Sequence, residues 1–235
     1  MRFCTESSRL SALGNRIDRR DRPGPRASSF KALEQAIDVL TRRAHTENEI
    51  VTFQRYLDLL IAWSQIHRIT GVRSRDEIIR SLFLDSLLFL AHLPPGPLAL
   101  VDIGSGSGIP GVPLRIVRPE IALTLVESRR KRVSFLASLR RTIGLEDVVL
   151  LEGRAERLLV ENPDLAAGFD VVVVRAVGSD LLVSAKTYLK PGGLLVAGSA
   201  PSSNDAMKSM DTRFETRTFP LLGLSRSFLT YRKPA

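Results

Sequence analysis

From about Phe30 to Leu93, apolar residues recur at helical spacing. Leu33, Ala36, Ile37 and Leu40 follow an i, i+3, i+4, i+7 pattern, as do Phe53, Leu57, Leu60 and Ile61 leading to Trp63. A third segment, Asp76 to His92, sets Ile78, Ile79, Leu82, Phe83, Leu87 and Leu90 on a broad apolar face, and Ser74 and Asp76 suit a helix start. Pro94, Pro95, Gly96 and Pro97 then break the pattern. The chain is therefore expected to open with a helical cap over residues 29–96.

Beyond that break the periodicity changes. Leu98–Ile103, Ala122–Val126, Val148–Leu151, Phe169–Val174 and Leu194–Ala197 read as strands, with Arg213–Phe219 and Ser227–Arg232 as two last candidates around Gly223. Val112–Val117, Lys131–Ile143 (stopping near Gly144) and Leu181–Leu189 read as helices, and Pro191-Gly192-Gly193 reads as a turn. The four valines 171–174 suit a central strand buried on both faces. Strand–helix alternation predicts an α/β fold over 97–235, a Rossmann-like, mostly parallel sheet with helices on both faces.

Residues 1–28 fit neither pattern. Arg16, Arg19, Arg20, Arg22 and Arg26 surround Pro23, Gly24 and Pro25, with no apolar period and no apolar core of a secretory signal. They are expected to form a disordered basic extension.

Composition narrows the class. A hydrophobic fraction of 44% over 235 residues supports a folded core. No run approaches the roughly 18 apolar residues of a membrane span. A single cysteine, Cys4, excludes an internal disulfide and a cysteine-based zinc site, and fits a cytoplasmic setting. The net charge of +9 favours a polyanionic partner or simply a basic soluble protein.

The chemistry gathers at Val101 to Pro113, VDIGSGSGIPGVP. An apolar strand runs into Asp102 and then Gly104-Ser105-Gly106-Ser107-Gly108, a turn where a ligand can lie against the main chain. Gly106 to Gly111 matches G-x-G-x-x-G, which suggests a dinucleotide. Pro110 and Pro113 crowd the helix start, and Asp102 would repel a pyrophosphate, so a phosphate-free sulfonium cofactor suits the turn better. Glu127, 23 residues past Gly104, follows the second strand, where an acid takes a ribose hydroxyl pair or caps the next helix. Glu156, in Gly153-Arg154-Ala155-Glu156, reads as an adenine contact or an exposed helix start. Arg175, just beyond the valines, overlooks the crevice or pairs with a neighbouring carboxylate.

Several stretches together resemble one family. Trp63 and Thr70, Phe83-Leu84-Asp85-Ser86-Leu87, Val101 to Pro113, Val117-Arg118-Pro119-Glu120, Leu125-Val126-Glu127-Ser128, Lys131-Arg132-Val133-Ser134-Phe135-Leu136, Gly153-Arg154-Ala155-Glu156 and Arg175-Ala176-Val177 are similar to the bacterial 16S rRNA guanine-N7 methyltransferase G family, glucose-inhibited division protein B. The resemblance covers about residues 50–200. It implies a class I S-adenosylmethionine-dependent methyltransferase fold, methyl transfer to N7 of a guanine in 16S rRNA, and the rRNA or small ribosomal subunit as partner. By matching position it implies cofactor contacts at Gly104, Ile109, Glu127, Ala155, Glu156 and Arg175; Asp102 and Gly106 join them from the reading of the turn. The chain departs from the family at Leu82 (a histidine elsewhere), at Arg68 (an asparagine) and at Ala197-Gly198-Ser199-Ala200 (A-L-K-G).

Guanine N7 carries a lone pair and no proton, so no general base is needed, and none is assigned. His45, His67 and His92 are scattered without metal-ligand spacing, and no metal is expected. The run Arg129-Arg130-Lys131-Arg132, extended by Arg140 and Arg141, is either a solvated face or a contact for RNA phosphates. Alternatives are a divergent methyltransferase on another RNA or a small molecule, a non-catalytic RNA- or ribosome-binding homologue, and, more distantly, a dinucleotide oxidoreductase.

Overall fold

The strand β4, Phe169–Arg175, sets the architecture. Val171 to Val174 are all fully buried, which only a strand covered on both faces achieves. The computed structural model describes residues 25–175, 179–199, 213–219 and 224–235. The extension is outside them up to residue 24. Helix α1, Pro25–Thr41, takes in its last residues.

β4 pairs in parallel with β1 (Leu98–Ile103) and β5 (Leu189–Ser199). β2 (Ile121–Glu127) and β3 (Val149–Glu152) continue the parallel sheet beyond β1. β7 (Leu224–Arg232) runs antiparallel between β5 and β6 (Arg213–Phe219), giving the order β3-β2-β1-β4-β5-β7-β6. The sheet is thus mostly parallel, as the alternation predicted. The order reverses between β1 and β4, the point at which open sheets of this kind leave a crevice beyond their carboxyl ends.

Period-2 alternation divides the sheet's side chains between two cores. Leu100, Leu123, Leu125, Val171, Val173 and Val196 face one cluster with Leu33, Phe53, Leu60 and Phe83 of the amino-terminal helices and Leu114 and Phe135. Val101, Ile103, Val172, Val174 and Leu195 face the other, with Leu158, Leu182 and Tyr188. The amino-terminal helices therefore cover one face beside α5 (Gly111–Val117) and α6 (Arg130–Ile143). The opposite face carries α7 (Ala155–Glu161) and α8 (Ser179–Tyr188).

Two elements differ from the sequence pattern. Residues 75–92, expected as one helix, change winding: α3 (Arg75–Ile78), a π-helical turn (Ile79–Leu84), α4 (Asp85–Leu87) and a 3-10 turn (Leu88–His92). Every residue from 82 to 89 is buried, more than one helical stripe can hide, and packing on both sides overrides regular geometry. Pro191-Gly192-Gly193, expected as a turn, lies inside β5. Leu189 pairs with Phe169 and Leu194 with Val171, so residues 190–193 bulge against Asp170 alone.

Helix α2 (Glu47–His67) starts with a capping box between Thr46 and Glu49 and ends at Arg68, in the left-handed region at φ 49°. None of the described helices is long and apolar enough to cross a membrane.

Candidate functional site

The turn after β1 is tied to its neighbour strand by main-chain bonds. Gly104 N and Ser105 N both donate to the Val126 carbonyl, at 2.9 and 3.0 Å, and Ser105 Oγ donates to the Asp102 carbonyl at 2.8 Å. Gly104, Gly106 and Gly108 have φ of 77°, 58° and 88°, which side chains resist. Space adds a second constraint at Gly108, where a Cβ would stand 2.8 Å from Val112 Cγ2 and 2.9 Å from the Tyr56 hydroxyl. At Gly111 a Cβ would meet Asp102 Oδ2 at 2.8 Å. The glycines at 108 and 111 answer to packing, a reason the motif alone does not reveal.

Asp102 is fully buried. Its Oδ2 accepts from Gly111 N at 2.9 Å, and its Oδ1 is buried without a partner. Burial first, and the negative charge of Glu127 in addition, push its carboxyl up to about 7.

Glu127, at the end of β2, is 4% exposed. Its Oε2 accepts from Gly106 N and its Oε1 from Arg129 N, both at 2.8 Å. The carboxylate thus holds the turn and also satisfies an N–H at the entry to α6. Arg132 Nη1 lies 3.7 Å from Oε2.

The third strand's loop joins the same place, with Gly153 N donating to the Glu127 carbonyl at 3.0 Å. A cleft of about 210 Å³ opens here, lined by Gly104, Gly153, Ala155, Glu156 and Leu181 among others. Gly104, Ala155 and Glu156 thus meet in one cleft. Asp102, Gly106 and Glu127 form its foundation. Ile109 is buried on the side of the amino-terminal helices.

Arg175 turns toward those helices. Its Nε donates to Asp85 Oδ2 at 3.1 Å, and its Nη2 lies 3.0 Å from that oxygen and 2.6 Å from the Ser81 carbonyl. Arg226 Nε of β7 donates to the other Asp85 oxygen. The carboxylate partner that the sequence allowed for Arg175 is thus present, 90 residues away in the chain. Asp85 was visible as an acid inside an apolar run, but nothing marked Arg226 or Tyr56 as members of this region.

Arg129, Arg130 and Lys131 are exposed at the start of α6. Arg132 reaches back over Gly106. Arg140 donates instead to the Val148 carbonyl, so it does not extend the run as a free cation, while Arg141 is exposed. Of the histidines, His45 bonds Asp38 at 2.8 Å, His92 lies against Phe228, and His67 against Trp63.

The positions that depart from the family pattern sit in different local settings. Leu82 is a core residue. Arg68 occupies a left-handed helix cap, a conformation that asparagine tolerates better. Gly198 lies under a ring, where a Cβ would stand 2.7 Å from Phe89 Cζ. Ala200 is outside the described residues.

The donors around the turn discriminate between cofactors. A pyrophosphate needs free N–H groups at the start of the following helix. In α5 Gly111 N is taken by Asp102, Val112 N donates to the Gly108 carbonyl, Leu114 N donates to the Pro110 carbonyl, and Pro113 has none. A nucleoside without a pyrophosphate fits better: the cleft is lined by Gly104, Gly153, Ala155 and the acid Glu156, with Glu127 holding the turn beside it. This sheet order, glycine turn and acid after β2 define a class I S-adenosylmethionine-dependent methyltransferase.

Solved structures of similar fold include the [4+2]-cyclase SpnF (TM-score 0.52, 18% identity, 80% of this chain and 96% of that one) and a ribosomal protein L11 methylase from Lactobacillus delbrueckii subsp. bulgaricus (TM-score 0.50, 15% identity, 65% and 79%). The family model GidB, rRNA small subunit methyltransferase G, matches residues 49–225. Relatives named ribosomal RNA small subunit methyltransferase G include one from Streptococcus suis, 35% identical over 183 residues (76% of this chain, 74% of the relative). Another, from Lactococcus lactis, is 33% identical over 175 residues (71% and 73%). The chain belongs to the rRNA small subunit methyltransferase G family.

Proposed function

We propose that this protein transfers a methyl group from S-adenosylmethionine to N7 of a guanine in 16S rRNA, acting on the rRNA or the small ribosomal subunit in the cytoplasm. Family membership supports the reaction. The observation that carries the site is the convergence of Asp102, Gly104, Glu127, Ala155 and Glu156 at the carboxyl edge of three adjacent parallel strands.

Bound S-adenosylmethionine supplies an electrophilic sulfonium methyl. The chain's own residues bind and orient. Gly104 and Gly106 bring main chain close to the ligand, and Glu127 has lone pairs left for ribose hydroxyls after accepting two N–H groups. Ala155 and Glu156 bound the adenine end. Asp102 holds the turn through Gly111 N. Ile109 braces the turn from below. Arg175, fixed by Asp85, sets the far wall. Arg129, Arg130, Lys131 and Arg132 meet RNA phosphates. Because the guanine nitrogen attacks with an existing lone pair, the rate gain comes from holding it in line and close. Residues 29–96 act as a cap over the domain spanning 97–235.

The test is methyl transfer from labelled S-adenosylmethionine to small subunits lacking the modification, followed by mapping of the labelled nucleotide. Label at a single guanine N7 of 16S rRNA is expected. Label elsewhere, or none, overturns the proposal.

A further inference from the structure

The carboxyl end of α2 presents a ring beside the basic helix start. His67 is exposed and lies on Trp63, with ring centroids 5.4 Å apart, and Trp63 packs edge-on against Phe135 of α6 at 5.7 Å. Phe135 follows Lys131 by one helical turn, so this aromatic stack adjoins the exposed cations of the α6 start. Next to His67 stand Ile66, 77% exposed, and Arg68, also exposed. Ile66 thus presents an apolar side chain to solvent one residue before the ring. Ring, apolar side chain and arginine in sequence, next to a row of cations, are the parts of a surface that stacks a base and tracks its phosphates.

We propose that His67, supported by Trp63 and flanked by Ile66 and Arg68, is a stacking platform for an unpaired base of the RNA substrate. This rests on the reading of the protein as an RNA methyltransferase and adds to it where the strand beside the target nucleotide lies. Charge complementarity selects RNA as occupant: the platform's neighbours are arginine and lysine, and stacking on a ring is tolerant of base identity.

Trp63 is the only tryptophan in the chain, so its fluorescence reports on this place alone. The probes are a short single-stranded RNA of mixed sequence and its abasic counterpart, titrated into the full-length protein. The base-bearing RNA should quench Trp63 and the abasic RNA should not. His67→Ala should weaken binding of the base-bearing RNA by about fivefold and leave its salt slope unchanged. Lys131→Gln should lower the salt slope by about one for both probes. Binding of S-adenosylhomocysteine, equal in all variants, certifies the fold. Unchanged affinity in His67→Ala, or equal quenching by abasic RNA, overturns the platform; if the Lys131→Gln slope change persists, the RNA reading survives. Absence of RNA binding by the parent protein overturns both.

Discussion

Tyr56 on α2 donates its hydroxyl to the main-chain carbonyl of Ser107, within the glycine turn. Burial, and then the charge of Asp102, raise this phenol's pKa well above its usual range, so it stays a donor. Its ring packs on Phe83 at 4.9 Å. Tyr56→Phe keeps that packing and orphans a buried carbonyl. A loss of about 1–2 kcal/mol is expected in denaturant titration, with weaker S-adenosylhomocysteine binding by calorimetry. Wild-type cofactor affinity in the variant would show that the helix does not support the turn.

Gly108→Ala should be more severe. The new methyl meets both Val112 and the Tyr56 hydroxyl at a backbone angle that side chains avoid. Destabilisation of at least about 2 kcal/mol and loss of cofactor binding are expected. Gly144→Ala, with open space around it, provides the contrast: strain at φ 70° without a clash, and cofactor binding kept.

Asp102 predicts a pH dependence. Its carboxyl sits at about 7 in the fold and at about 3.9 when unfolded, so between those values the folded state holds a proton that the unfolded state has lost. Stability from this residue is therefore full below about pH 4 and is lost as pH rises to about 7. Asp102→Asn should flatten that segment of a stability–pH curve. An unchanged slope in the variant would assign the dependence to other groups.

Asp85 is clamped between Arg175 and Arg226, and its side chain is 8% exposed. Asp85→Ala leaves two arginines facing each other without their anion. A cost of about 1–3 kcal/mol is expected in thermal or denaturant unfolding, because both guanidinium side chains keep part of their solvent contact. A cost below about 1 kcal/mol would mean that solvent screens the cluster.

Arg68→Gly relieves the left-handed cap of α2. It should raise stability by about 0.5–1 kcal/mol, seen as a higher denaturant midpoint with an unchanged slope. No gain would indicate that the arginine side chain compensates for the strain.

The sequence by itself determined the first two helices, the alternating strands beyond residue 97 and the glycine turn, because those signals lie within a few consecutive residues. The same local reach explains what it missed. Glu127 braces the turn instead of only following it, since its two oxygens accept from Gly106 N in the turn and from Arg129 N at the entry to α6, contacts that need the folded sheet. Pro191-Gly192-Gly193 looked like an end but is a bulge, because strand pairing with β4 resumes at Leu194. Only the tertiary structure decided that Arg175 meets Asp85, that Tyr56 holds Ser107, and that the orphan oxygen of Asp102 lies beneath the turn. These contacts join residues far apart in the chain, and their energies depend on burial that arises only once the helices close over the sheet.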